Sequence, residues 1–475
     1  MKLEKLRDYL INIPFLERLS LLQDKLLVEI FIVGGIIRDF LLERWDKEKT
    51  IELDFAVSRE TKRVAQLFAR QINGYFVVLD EEKRTYRVLL ENKPYQFDFS
   101  EFRGENIEED LYLRDFTINS LAINLKGFKD KSLFKIIDPW KGIEDIEKRI
   151  IRVVSDFSFR DDPLRIIRAF TFFQELGFVI EEHTKNLMKE SVNLLSKVPG
   201  ERITEQLARI LEASFSYKTI KEMDSLGIME EIFPIVKEMR GVEQGPYHHL
   251  EVWEHSLETL KELERLLEEL YSLDIIGKKI SEYLKEKIAG ERKRLFVLKL
   301  GALFHDMGKP RAKEITPEGK IRFVGHEKIG GVLSLQIAER LKLSVYETKD
   351  ISPKAKLRFF RAGEEESVGI ILIALADKFA TAGPLTTIED REEFKTYLFH
   401  LLHSYFLEKE IVKPERLLNG HEVMRILKIS PGPLVGKILR LLEEAQVEKK
   451  VSSKVEAEEF IKTMLEKGIE ENAQS

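Results

Sequence analysis

The chain has no cysteine. Disulfides, iron–sulfur clusters and cysteine-ligated zinc are excluded, so any bound metal must sit on histidine, aspartate or glutamate. It also lacks an apolar run of the roughly 18 residues that a membrane helix requires. The best candidates, Leu26–Ile37 and Val368–Ala376, are too short or carry Glu and Gly. The opening MKLEKLRDYLINI does not have the basic, apolar and small-residue order of a secretory leader. A cytoplasmic protein with no membrane partner is expected. Positive charge is not in excess either, the formal net charge being −6. That excludes a uniformly basic nucleic-acid binder but not a local basic groove, because phosphates meet a patch and not an average. No internal repeat or low-complexity tract is found.

What is present suits two to four folded domains: 475 residues, 43% hydrophobic and 34% charged. The first ~150 residues alternate strand and helix patterns. Val28–Val33 is a β-branched run, Gly34-Gly35 breaks it, and Ile36–Trp45 has helical spacing. Ile51–Val57, Tyr86–Leu90 and Tyr95–Phe99 read as strands. From about Pro163 the pattern is helical almost throughout, with many Glu/Lys pairs. The polar tail beyond Glu448 is expected to fray.

Three motifs in the head and neck carry chemistry. Gly34 and Gly35, between a strand and a helix, let a ligand approach the backbone, and helix amides there attract phosphate. The same pair also fits a plain strand-to-helix turn. In IELDFAV, alternation places Glu52 and Asp54 on one face and Leu53 and Phe55 on the other. Two carboxylates on a polar face make a platform for Mg²⁺, which wants oxygen ligands and shares substrate phosphates; an ordinary half-exposed strand is the alternative. Asp98, on the Tyr95–Phe99 strand, offers a third carboxylate. In DDPLRIIRAF, Asp161 and Asp162 precede Arg165 by four and three residues, a spacing that shares a helix face. The plain reading is an Asp cap, a first-turn proline and an intrahelical ion pair.

These motifs, followed by EEDLYLRDFTINSLAIN, IDPWKGIEDIEKRIIRVV and FRDDPLRIIRAFTFFQELGF, resemble in order the signature blocks of the bacterial tRNA nucleotidyltransferase and poly(A) polymerase family, the class II CCA-adding group. The resemblance implies that Glu52 and Asp54 hold two Mg²⁺ ions and that Gly34, Gly35 and Arg38 receive the triphosphate. The family usually has Asp where Glu52 stands. The longer side chain leaves three outcomes: a slower head, an altered metal preference, or a silent head. Arg114 and Asp115 match a ribose-contacting pair whose preceding position, usually Arg, is Leu113 here; a local ion pair between the two is the plain alternative. Asp162 and Arg165 match the block that selects nucleotides by protein alone, with Asp161 where Glu is usual and Arg168 assisting. A carboxylate accepts and a guanidinium donates, so such a pair satisfies the base edges of CTP and ATP and leaves groups of UTP and GTP unpaired. The later ERITEQL block (Glu201–Leu207) resembles a structural part of the neck. Between Glu101–Arg103 and Glu108–Asp115 lies only GENI, where CCA-adding relatives carry a longer flexible loop. The short form resembles enzymes that add CC and leave the terminal A to a separate A-adding enzyme.

The second half places His255 in YHHLEVWEHSLETL, His305-Asp306 in LGALFHDMGKP, His326 in FVGHEKIGG and Asp377 in LIALADKF. A His-Asp dipeptide in an apolar helix is costly to bury unless coordinated or paired. These elements resemble the HD phosphohydrolase superfamily. By that resemblance His255, His305, Asp306 and Asp377 would ligate a transition metal or Mg²⁺, with His326 touching substrate or a second metal. Such a site hydrolyses phosphoesters, or survives as a scaffold that only binds tRNA. His248, His249, His400, His403 and His421 show no comparable pattern and read as surface or packing residues. LLNGHEVMRILKISPGPLVGKIL (Leu417–Leu439) resembles the C-terminal segment of the HD-containing subgroup.

The expected fold is α+β. A nucleotidyltransferase head with a small mixed sheet spans 1–145, a helical neck 146–235, an HD body 236–395, and a tRNA-binding helical tail 396–475. The expected activity is untemplated transfer of CMP, and of AMP if the chain adds full CCA, from CTP or ATP to the tRNA 3′ end. CC addition is favoured; full CCA addition, poly(A) polymerisation, or an HD hydrolase or RNA-binding protein with an inactive head are the alternatives.

Overall fold

Alternation along Ile51–Val57 sets the first half: Leu53, Phe55 and Val57 turn inward while Glu52 and Asp54 face out. A computed structural model describes residues 2–13, 15–44, 51–91, 95–128, 130–246, 248–273, 275–343, 367–381, 387–407, 417–447 and 451–466. The chain divides into two units, Met1–Lys237 with Arg340–Lys342, and Glu238–Glu339 with Leu343–Ser475.

The first unit opens with helices α1 (Lys2–Ile11) and α2 (Leu16–Leu26), then β1 (Ile30–Val33), α3 (Gly35–Leu41), β2 (Ile51–Val57), α4 (Thr61–Ile72), β3 (Tyr75–Asp80), β4 (Thr85–Leu89), β5 (Tyr95–Glu101), α5 (Ile107–Tyr112) and β6 (Ala122–Asn124). The six strands form one mixed sheet in the order β3-β4-β5-β2-β1-β6. Only β2–β5 is parallel, and its register sets Asp54 beside Asp98. Behind the sheet, Phe55 stacks on Phe97 and Phe99 while Phe68 of α4 meets the last two rings edge-on. Each such buried ring contributes roughly 1.5–3 kcal/mol. This core holds the polar face of β2 in place. The strand β3 lacks the alternation that marks a half-buried strand: Tyr75, Val77, Val78 and Leu79 are all exposed on the sheet's edge.

Helices α6 (Gly142–Lys148), α7 (Ser158–Asp161), α8 (Leu164–Leu176), α9 (Glu182–Ser191), α10 (Gly200–Leu211), α11 (Tyr217–Ser225), α12 (Ile228–Ile232) and α13 (Ile235–Met239) follow. The sequence places Asp161, Asp162 and Arg165 on one helix face, and here the structure differs. Helix α7 ends at Asp161, Asp162 is extended (φ −147°, ψ 98°), and α8 starts at Leu164. Pro163 forces the break, because its ring disfavours a helical residue before it.

The second unit is helical around α14 (Val252–Tyr271), α15 (Ile275–Lys285), α16 (Arg294–Phe304), α17 (Lys309–Ala312), α18 (His326–Leu341) and the helices Ser367–Ala380 and Ile388–Leu407. Helix α16 is buried on nearly every side, and Ser367–Ala380 packs with α14 around Leu263, Leu267, Leu298 and Leu372. The apolar run Val368–Ala376 is thus a core helix, and no helix of the described residues is long and apolar enough to cross a membrane. For the described part of the tail beyond Glu448 the expected fraying is corrected by a helix, Lys454–Glu466, that buries Ala457 and Ile461 against Val423, Ile438 and Leu442, the last nine residues lying outside the described ones. Its i, i+4 apolar pair is what the polar composition hides.

Candidate functional site

The strand β1 delivers the chain to Gly34, whose φ of +77° is favoured only for glycine. A side chain there would lie 3.6 Å from Asp54 Oδ2 and 3.7 Å from Arg114 Nη1, so Gly34, Asp54 and Arg114 converge on one point. The Gly34 amide itself donates to Leu121 O at 3.1 Å. Asp54 is open to solvent yet ringed by protein. Its desolvation raises the carboxyl, Arg114 lowers it, and Asp98 and Glu52 raise it again, leaving it at about 6. Glu52 shares the exposed face and is fully available. Asp98 lies beside Asp54 across β2 and β5, as a third carboxylate would, but is engaged by a partner. Both its oxygens are taken by the Arg87 fork, Nε to Oδ1 at 2.8 Å and Nη2 to Oδ2 at 2.7 Å. It acts on Asp54 through its charge, and Glu52 and Asp54 are the oxygens offered outward. Like charges crowded on one strand face fit a divalent cation.

Behind this face runs a charged network. Arg38 is buried, donates from Nη1 to Asn119 Oδ1 at 2.5 Å, forks onto Asp39, and lies over the Phe172 ring. Asn119 donates to Asp115 Oδ1 at 3.1 Å, and Arg168 donates from Nε and Nη2 to Asp115 Oδ2 at 3.1 and 2.8 Å. Arg168 also lies over Phe172. Burial alone would raise the Asp115 carboxyl; Arg168, Asn119 and the Phe116 amide bring it down to about 2. Arg114 and Asp115 therefore do not pair with each other, since Arg114 is held by Asp110 at 2.9 and 3.0 Å.

Arg165 is buried and gives Nη1 to Arg114 O (3.2 Å) and Ser158 Oγ (2.8 Å), and Nη2 to Leu113 O (2.7 Å). The intrahelical Asp162–Arg165 ion pair of the plain reading is not formed. Asp162 accepts Arg202 Nη1 and Nη2 at 3.3 and 2.8 Å and the Leu164 amide at 3.2 Å. Asp162, Asp161 and Asp115 still act on Arg165 through charge, offsetting the lowering that burial imposes. Asp161 is exposed at the end of α7. Arg202 lies in the block that sequence alone marks as structural, while Asn119 and Phe172 lie inside quoted motifs without being singled out.

In the second unit, His255, His305, Asp306 and Asp377 bring ligand atoms within 4.8 Å of one another, a convergence without counterpart among the described residues. His255 Nε2 lies 2.9 Å from Asp377 Oδ1, and His305 Nε2 lies 3.1 Å from Asp306 Oδ2 and 3.5 Å from Asp377 Oδ1. His305 Nδ1 meets Ala302 O at 2.9 Å and His326 Nδ1 meets Phe323 O at 2.7 Å. With those protons on Nδ1, each Nε2 presents its lone pair inward, the tautomer a metal ligand needs. His305 Nε2 is buried without a hydrogen-bond partner of good geometry, as a group awaiting a cation is, while Asp306 Oδ2 already has the Lys309 ammonium beside it. These residues fit a divalent metal. His326 Nε2 is 3.9 Å from Asp306 Oδ1, at the rim of the cluster. Without a metal, burial would lower the His305 imidazole, but Asp306 and Asp377 raise it to about 10, so a bound cation would take the place of the Nε2 proton. Burial would raise Asp306, but His305 and Lys309 hold it well below the carboxylate range.

Sequence reasoning missed three residues here. Lys309 Nζ lies 2.5 Å from Asp306 Oδ2 and 2.6 Å from Gln244 Oε1. His248, read as a surface or packing residue, lies edge-on to His255 at 4.8 Å and is kept neutral, its pKa lowered to about 4 by burial and then by Lys309 and His255. Gln244 and His248 come from the 241–250 loop, which Glu251 ties down by accepting the Gly241 amide. The signal in sequence was the His248-His249 pair seven residues ahead of His255 (one helical face, had the segment been helical).

Family models match as a poly A polymerase head domain over residues 30–152, a probable RNA and SrmB-binding site of polymerase A over 177–239, and an HD domain over 252–382. An A-adding tRNA nucleotidyltransferase of Deinococcus radiodurans is 30% identical over 92% of this chain and 95% of its own length. A CC-adding tRNA nucleotidyltransferase of Thermus thermophilus is 29% identical over 91% of this chain and 92% of its own. In fold, the chain matches a CCA-adding enzyme solved with CTP at a TM-score of 0.64 and 22% identity, over 98% of both chains. The Thermotoga maritima CCA-adding enzyme bound to tRNA matches at 0.62 and 22%, also over 98% of both.

Proposed function

We propose, for a chain that belongs to the bacterial tRNA nucleotidyltransferase family, that its transfer to the tRNA 3′ end stops after two cytidines. Its relatives carry A-adding, CC-adding and CCA names, so the number and kind of nucleotides added is the open choice. One observation carries the CC reading: the β5-to-α5 connector, residues 102–106, is short and pinned. Asn106 caps α5 by accepting the Glu109 amide at 3.0 Å; Glu109 Oε2 accepts the Glu105 amide at 2.8 Å; Asp110 accepts the Arg103 amide at 3.2 Å. A connector held at three points does not supply the flexible element with which a site switches from C to A.

Glu52 and Asp54 would hold the Mg²⁺ ions, which when bound activate the primer hydroxyl and offset charge on the departing pyrophosphate. Gly34 keeps the floor open beside Asp54, and Arg114, Asp115, Arg38 and Arg168 place ribose and phosphates in an electropositive setting. Arg165 keeps two N–H groups beyond its bonds to Ser158, Leu113 and Arg114, and Asp162 keeps one acceptor site beyond Arg202 and Leu164. Together they match an amino donor beside a ring acceptor, the edge that cytosine presents and uracil does not. Domain roles follow the sequence reading, with the tail and a basic face as the tRNA contact; a product ending in CC would pass to a separate A-adding enzyme. The test is incorporation of labelled CTP and ATP, with Mg²⁺, into transcripts ending before CCA, after C and after CC. Cytidine on the first two and nothing on the third is expected. Efficient A addition to the third would overturn CC-only transfer.

A second reading rests on the inward-facing Nε2 atoms of the second unit. We infer that His255, His305, Asp306 and Asp377 hold a divalent metal that would activate water on a phosphoester, with His326 at the rim. Release of phosphate, or opening of a 2′,3′-cyclic phosphate at an RNA end, abolished by His305→Ala, is the expected result. No turnover with Mg²⁺, Mn²⁺ or Ni²⁺ would reduce this half to a scaffold.

A further inference from the structure

One carbonyl in the head serves two arginines. Leu113 O accepts Arg165 Nη2 at 2.7 Å from helix α8 and Arg103 Nη1 at 3.2 Å from the connector. Leu113 is the residue on which α5 ends, and Arg114 and Asp115 follow it. The contacts close a ring. The Arg103 amide rests on Asp110 Oδ1, Asp110 Oδ2 holds Arg114, Arg114 O holds Arg165, and Arg103 and Arg165 meet again at Leu113 O. Arg165 is buried, so its guanidinium takes its orientation from these carbonyls; Arg103 is exposed, so it is the member of the ring that faces open space.

We propose that Arg103 is a positioning residue for nucleotide selection: it fixes the Leu113–Arg114 carbonyls, and through them Arg165, and so ties the short connector to the choice of base. The inference rests on Arg165 reading the base, as argued above. A carbonyl shared by two donors is held in two directions. With one donor removed, the strip can rock about the remaining bond, and the Arg165 N–H groups that distinguish cytosine from uracil lose their fixed aim. Selection is then lost before catalysis, because Arg103 touches neither Glu52 nor Asp54 in any of these contacts.

The experiment compares kcat/KM for CTP and for UTP on a transcript ending before CCA, using the full-length wild type, Arg103→Ala and Arg103→Lys. Arg103→Ala is expected to lower the CTP-over-UTP ratio about tenfold, the scale of one hydrogen bond to a charged group, with kcat for CTP within about threefold of wild type. Arg103→Lys, which can still donate to Leu113 O, is expected to recover most of the ratio. An unchanged ratio, or an equal fall for both nucleotides with a lowered melting temperature, overturns the proposal by making Arg103 merely structural. Wild-type addition of A to a transcript ending in CC would remove the CC reading and leave this ratio test standing; an unchanged ratio in Arg103→Ala, beside a wild type that stops at CC, would do the reverse.

Discussion

Asp54→Asn is expected to abolish nucleotide transfer and at the same time to stabilise the metal-free protein. The carboxyl of Asp54 moves from 3.8 to about 6 because desolvation and the charges of Asp98 and Glu52 outweigh Arg114. A change of that size corresponds to roughly 3 kcal/mol at most. Asp54 is open to solvent, however, and water screens an exposed charge, so about 1 kcal/mol is the share expected to survive. For a unit of this size that is a rise of about 2–4 °C in melting temperature. The folded pKa is raised, so the group favours folding most below pH 3.8, and that contribution is lost as pH rises through about 6. The gap between Asp54→Asn and wild type should therefore open between about pH 4 and 6 and stay constant above.

Thermal unfolding in EDTA and in saturating Mg²⁺, at pH 5 and 7.5, measures this. In EDTA at pH 7.5 the variant should melt higher; Mg²⁺ should raise wild type more than the variant and close or reverse the gap. A variant that melts lower than wild type in EDTA, or equal stabilisation of both by Mg²⁺, would refute the crowded-carboxylate platform. Retained transfer activity would refute it independently.

Three further outcomes follow from buried charge. Asp115 is buried with its carboxyl at about 2, a depressed value, so its contribution is present above the ordinary 3.8 and lost as pH falls through about 2. The stability deficit of Asp115→Asn, roughly 2 kcal/mol, should be flat from pH 8 to 5 in urea titrations and shrink in stronger acid. Lys299 and Glu264, 0% and 3% exposed at 2.7 Å, form an ion pair between α16 and α14. Lys299→Met alone should cost about 3–5 kcal/mol by urea unfolding, and the double change to Met and Leu much less; equal costs would mean the pair is not what holds the helices. Mn²⁺ binding, followed calorimetrically, should weaken by about tenfold or more in His305→Ala, and unchanged affinity would place the metal elsewhere.

Much of the head was readable because its signals are local. The strand Ile51–Val57 alternates and the structure keeps those bounds, and Gly34 has the positive φ that a glycine at a strand end advertises. The strand β3 was missed because Tyr-Phe-Val-Val-Leu has no period of two, and it lacks one because an edge strand there buries neither face. The helix Lys454–Glu466 was missed because a polar composition conceals an apolar pair spaced by four.

Partners were far less readable than residues, and the reason is distance along the chain. Sequence proximity offered Asp162 with Arg165, and Arg114 with Asp115, as local ion pairs in the plain reading, and Asp98 as a further carboxylate beside Glu52 and Asp54. The fold instead pairs Asp162 with Arg202, Asp115 with Arg168, and Asp98 with Arg87. A single proline accounts for the first exchange, since the break at Asp162 sets its carboxylate on the Leu164 amide at the start of α8 and on Arg202 of α10, not along the helix face of Arg165. The same limit hid His248, which joins the second cluster from a loop and not from a helix face. Residue type reveals what chemistry a site can do, because donors and acceptors are fixed by composition. Which donor meets which acceptor is decided by the backbone between them, and in this chain that backbone is a proline, a pinned five-residue connector and one shared carbonyl.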